Sequence, residues 1–120
     1  MTMEEFRDQL ETFWASAIRE AHDCKDPFLA LDRLFTLYRS LDPVERELAH
    51  QVLAEWLVSD DETKRFVAVA LVREFRVVTA APALRQLSDQ LQRCDGPGAP
   101  FERRKVEDLL SEFRFKADGR

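Results

Sequence analysis
The chain has 120 residues, an apolar fraction of 45% and a formal net charge of −5. That length suits a single domain that buries a core without disulfide or metal staples, and the negative balance disfavours bulk attraction to nucleic acid or to an anionic membrane. No apolar run approaches a membrane span, and the acidic start Met1-Thr2-Met3-Glu4-Glu5 lacks the basic and apolar regions of a secretory signal, so a cytoplasmic protein is expected.

Six helices are predicted in chain order. Thr2 with Glu5 has the spacing of a capping box, in which each side chain satisfies the other's backbone N–H. The first helix then places Phe6, Leu10, Phe13, Trp14, Ala17, Ile18 and Ala21 on one stripe. Asp26-Pro27 opens the second, with Asp as N-cap and Pro where its missing N–H does no harm. Its apolar set is Phe28, Leu29, Leu31, Leu34, Phe35, Leu37, Tyr38 and Leu41. Asp42-Pro43, with Glu45 after it, opens a third helix reaching about Val58 and burying Val44, Leu48, Val52, Leu53, Trp56 and Leu57. Trp14, Trp56 and Tyr38 are read as core.

Ser59 with Glu62 is read as the capping box of a fourth helix through Phe75. Residues 66–72 are apolar on every side, and such a helix is expected to be wrapped by neighbours. The Ala68 and Ala70 positions and the preceding cap favour helix over a buried strand. Thr79 is expected to cap a fifth helix with Pro82 in its first turn and a stripe of Leu84, Leu87 and Leu91. Residues 94–99 read as a turn or loop. Pro100 begins a sixth helix with Phe101, Val106, Leu109, Leu110 and Phe113 inward, and opposite charges i, i+4 apart at Arg103/Glu107 and Arg104/Asp108. The tail from Lys116 is expected to fray. Short linkers make consecutive helices antiparallel hairpins, so the fold class expected is all-α, about six antiparallel helices as stacked hairpins.

Residues 59–92 resemble a HEAT repeat. The matching features are the acidic cap and Arg65 ahead of an Ala/Val/Leu-rich first helix, then the Ala80-Ala81-Pro82-Ala83-Leu84 opening of the second. A tetratricopeptide repeat fits worse, because its Trp, Leu-Gly and Tyr positions are missing. The resemblance implies one HEAT-like α-α superhelical domain over residues 1–120. An N-terminal capping helix at 1–25 precedes a divergent helix pair at 26–58, the HEAT-like pair at 59–93 and a C-terminal helix at 100–115. It also implies a protein-binding scaffold in which the second helix of each pair lines the docking face. On this chain that face is Glu47, His50, Gln51 and Glu55, with Ala54 and Val58 on the same strip, and on the fifth helix Arg85, Ser88, Asp89 and Gln92.

Chemistry is harder to find. Neither GxSxG, HExxH, a P-loop nor GxGxxG occurs, and all three glycines lie at 96 or later. Glu47 and His50 have the i, i+3 spacing of helical di-iron ligands, but such a site needs two copies and further glutamates, so the pair reads as a solvated polar face. His22 and Cys24, near Asp23 and Asp26, are better explained by the preference of His for a helix C-terminus. Cys24 and Cys94 belong to no CxxC or Cys/His cluster and are expected to be reduced structural thiols, with a single disulfide the alternative. No metal or cofactor is implied.

Charge is uneven, with six basic against twelve acidic residues over 1–58 and twelve against eleven over 59–120. An acidic half could attract a basic partner, but a plain solvated surface is the simpler explanation and is preferred. The expected function is therefore a non-catalytic protein–protein interaction module. Its most concrete form is a small bacterial inhibitor of immunity type that covers a basic toxin enzyme. The competing reading is a HEAT-like nucleic-acid-binding protein using Arg103, Arg104 and Lys105, with Arg93, Arg114 and Lys116 nearby. That reading lacks the broad basic stripe such proteins show.

Overall fold
Side-chain caps set the start of several of the helices. The structure, a computed structural model, describes residues 1–94 and 96–118, with side chains through Arg114. Among the described residues there are six α-helices, one 3₁₀ turn and no strand, so the chain is all-α. Helix α1 (Met3–Asp23) starts at Thr2, whose hydroxyl accepts from the Glu5 N–H at 3.1 Å. It stops where Lys25 turns left-handed at φ 54°. There the Asp26 N–H donates to the Ala21 carbonyl and the Lys25 N–H to that of His22, a Schellman closure built without glycine.

Helix α2 (Leu29–Ser40) begins later than Asp26-Pro27 suggested. The Asp26 carboxylate instead accepts from the Phe28 N–H at 3.0 Å, which makes a side-chain turn that leads into the helix. Helix α3 (Pro43–Leu57) has the full reciprocal box. Asp42 Oδ1 accepts from the Glu45 N–H at 2.8 Å, and Glu45 Oε1 accepts from the Asp42 N–H at 3.0 Å.

Helix α4 (Glu62–Phe75) is capped by Asp61, not by the predicted Ser59. Asp61 Oδ1 accepts from both Thr63 and Lys64 N–H groups, so one carboxylate satisfies two of the helix's orphan donors. Ser59 Oγ accepts from Asp61 N–H, just before the helix. The predicted cap of α5 (Ala81–Gln92) is also corrected: Thr79 lies inside a 3₁₀ turn over Val78–Ala80, and Ala80 takes the cap position with no side-chain acceptor. Helix α6 (Ala99–Asp118) starts one residue before Pro100 and keeps its backbone helical through Asp118. The loop position Asp95 and the tail residues Gly119 and Arg120 lie outside the described residues.

Two compact units divide inside α3, Met1–Val52 and Leu53–Arg120. In unit 1, α1 packs along α2. Arg33 reaches back to Glu20 at 2.6 Å, pairing the start of α2 with the end of α1, as in an antiparallel hairpin. The core-facing residues are Phe6, Leu10, Trp14, Ala17 and Ala21 from α1, and Ala30, Leu34 and Tyr38 from α2.

In unit 2, α5 packs along α6. Two ion pairs, Arg65–Glu102 at 2.8 Å and Arg76–Glu112 at 3.9 Å, advance along α4 and α6 in the same direction. Those helices therefore run parallel. Leu53, Leu57, Leu84 and Leu87 are almost fully buried, and each contributes about 2 kcal/mol through its burial.

Several apolar residues expected inward are at the surface: Ile18, Phe28, Val44, Phe66 and Phe101. At about 100° per residue, Phe66 lies roughly opposite the buried arc of Val67, Ala68, Leu71 and Val72 on α4. The segment 66–72 is therefore helical as predicted but is not shielded on every side. Among the described residues no helix is long and apolar enough to cross a membrane.

Candidate functional site
The expected docking strips are partly exposed and partly used internally. Glu47 and Gln51 on α3 are exposed in unit 1, and so are Glu55, Arg85, Asp89 and Gln92 in unit 2. His50 and Ser88 differ from expectation. His50 is half-buried, with Nε2 2.7 Å from the Tyr38 hydroxyl and its ring stacked on the tyrosine at 5.9 Å. Ser88 is buried. It lies four residues after Leu84 and three before Leu91, which places it within the apolar stripe of α5.

The Ser88 hydroxyl joins α5 to α6. It donates to Glu107 Oε1 at 2.7 Å and accepts from Arg103 Nε at 3.3 Å. Arg103 also donates to Gln92 Oε1 at 3.4 Å and forms the predicted ion pair with Glu107 at 3.8 Å. The structure thus brings Ser88 and Gln92 together through Arg103. That arginine is committed to packing α6 on α5 rather than presented as part of a basic stripe. Lys105 is engaged as well, with its ammonium 4.8 Å from the Phe101 ring centre and 5.9 Å from that of Phe66.

This second contact marks a surface that the sequence reading assigned to the core. Phe66 on α4 and Phe101 on α6 are 51% and 66% exposed, yet they sit close enough to share one cation. Just beside them, Arg65 holds Glu102 through a two-pronged contact at 2.8 and 3.3 Å and donates to the Ser59 carbonyl at 2.9 Å. The Glu102 hydrogen bond holds the Arg65 pKa above its already high ordinary value, against the opposing effect of burial. The fork fixes the spacing of α4 and α6 at the point where the two phenyl rings emerge. The signal for the pair was present in the sequence as phase: Phe101 falls outside the stripe of Val106, Leu109, Leu110 and Phe113.

Charge follows the structural units. Unit 1 holds eleven acidic against six basic residues, and unit 2 twelve against twelve, so the whole net charge of −5 belongs to unit 1. Both cysteines are free, and both are exposed rather than structural. Among the described residues no three His, Cys, Asp or Glu side chains gather in a way that could hold a metal ion. No protein-family model matches this chain, and no curated protein or solved structure matches it.

Proposed function
We propose that this chain is a non-catalytic protein-interaction module that binds a basic partner protein. The observation that carries the reading is the exposed Phe66/Phe101 pair on unit 2, joined into one patch by Lys105. Large aromatic rings held in water by a rigid frame are typical interface anchors, because their burial on docking is gained at little cost in side-chain freedom. The partner's charge is read from unit 1, which carries the entire negative excess and would accelerate encounter with a cationic surface.

The most concrete form of the reading is a small bacterial inhibitor of immunity type that covers a basic toxin enzyme. The parallel run of α4 and α6, with α5 between them in sequence, supports a helical-repeat frame for it. The nucleic-acid alternative has weaker support, since Arg103 is engaged within the α5–α6 contact and Lys105 lies against phenyl rings. The test is to purify the chain with a basic protein encoded beside its gene and to measure association at low and high salt. A stoichiometric complex whose on-rate falls with salt is expected. Failure to associate at low salt, where charge attraction is greatest, would remove this reading.

A further inference from the structure
Tyr38, Arg46 and His50 form a polar cluster at the α2–α3 turn of unit 1. Tyr38 is in the last turn of α2, while Arg46 and His50 lie one turn apart on α3. The Tyr38 hydroxyl is 2.7 Å from His50 Nε2, and the two rings are stacked with an interplanar angle of 21°. The Arg46 guanidinium lies 5.2 Å from the centre of the same tyrosine ring. Its Nη2 donates to the Arg39 carbonyl at 3.2 Å, at the end of α2, and its Nε is buried with no hydrogen-bond partner. Two contacts on α2 therefore fix a positive charge beside the histidine.

We infer that this cluster is a pH-sensitive latch: the Tyr38 hydroxyl donating to a neutral His50 closes the α2–α3 hairpin, and proton uptake by His50 opens it. A neutral imidazole with its hydrogen on Nδ1 accepts the phenol proton at Nε2. A protonated ring carries N–H on both nitrogens and accepts nothing. Protonation thus turns Nε2 from an acceptor into a donor, so the Tyr38 hydroxyl can no longer donate to it and can only accept, and it adds a second cation next to Arg46. The groups that face the imidazole are the Tyr38 hydroxyl from α2 and, from α3 itself, the Arg46 guanidinium and the Glu47 carboxylate. Glu47 favours the charged ring, but it is exposed and screened by water.

Burial prevails. It holds His50 below the ordinary histidine value of 6.5, with Glu47 opposing and Arg46 reinforcing the shift. A depressed folded-state value means that the latch's contribution to stability is complete above 6.5 and is lost as pH falls through the folded value.

The experiment is an NMR titration of the His50 ring in a His22→Gln chain, which leaves one histidine to follow. The expected midpoint lies below 6.5, with the Tyr38 ring signals moving in the same transition. Tyr38→Phe removes the hydrogen bond that favours the neutral ring, so the His50 midpoint should move upward, a response that a purely structural role would not give. Between about pH 7 and about pH 5 the thermal midpoint should fall, and His50→Gln should reduce that fall. A His50 midpoint at or above 6.5, or one that Tyr38→Phe leaves in place, overturns the inference. If His50→Gln fails to fold, the ring titration still decides the matter.

Discussion

The Arg65–Glu102 fork should be the strongest electrostatic tie in unit 2, and a double-mutant cycle measures it. Arg65 and Glu102 are only 16% and 22% exposed, and they meet through two hydrogen bonds at 2.8 and 3.3 Å. An exposed ion pair contributes about 0.2–1 kcal/mol, whereas breaking a buried one costs about 3–5 kcal/mol. At about one-fifth exposure this pair falls between those limits. Arg65→Met should cost about 2 kcal/mol, because it also frees the Ser59 carbonyl from its 2.9 Å donor. Glu102→Gln keeps one hydrogen bond and should cost about 1 kcal/mol. For a chain of this size the first loss corresponds to a fall in Tm of roughly 8 °C. The assay is urea unfolding of wild type, both single variants and the double variant, followed by far-UV circular dichroism. Coupling of about 1–1.5 kcal/mol is expected. Single-variant losses that add to within about 0.3 kcal/mol would refute the reasoning, since independent sites behave that way.

Further outcomes follow from burial and backbone geometry. Leu84→Ala, at a side chain with no exposure, should cost about 3 kcal/mol in the same assay, while Val44→Ser should stay within about 0.5 kcal/mol. Arg76→Gly should stabilise the chain by about 0.5–1 kcal/mol, because Arg76 sits at φ 54° and glycine occupies that region without strain. The same substitution removes the Arg76–Glu112 ion pair, which is long and about half exposed, so its removal should be close to neutral. Tyr38 is the only tyrosine, and burial, against the opposing Arg46, raises its pKa above 10. Absorbance of the phenolate should therefore appear above the ordinary tyrosine range. The stability tied to the neutral phenol should persist up to 10 and fade as pH rises through the folded value.

Helix existence was readable from sequence because each apolar stripe repeats with the helical period and each start carries a cap or a proline. The Asp42-Pro43 start was readable as a cap, and the structure adds a reciprocal bond from Glu45 that closes it into a box. The start of α4 was not, because Ser59 and Asp61 both have capping chemistry and only the backbone path decides between them. Core membership failed wherever apolar character was taken without phase. Val44 and Phe101 lie in first turns, well off the buried arcs of α3 and α6, and Phe66 lies opposite the buried arc of α4.

Two positions of the expected docking strip, Ser88 and His50, are less exposed than their polarity suggested. Ser88 is polar yet sits on the α5 stripe, where its hydroxyl finds Glu107. His50 lies at the edge of the buried arc of α3, where it finds Tyr38. The partners that make both positions internal come from other helices, so no local pattern announces them. The aromatic surface could have been found by plotting each helix at its own period and asking which large residues fall outside.

The interaction reading depends on Phe66 and Phe101 being placed for docking rather than for folding. The direct measurement compares a Phe66→Ser/Phe101→Ser chain with wild type, in thermal unfolding and in affinity for the same purified basic partner. Unchanged or nearly unchanged Tm together with a drop in affinity of tenfold or more is the predicted result, since each exposed ring is an anchor worth about 1–2 kcal/mol on docking. Wild-type affinity in the double variant, or collapse of the fold, would contradict it.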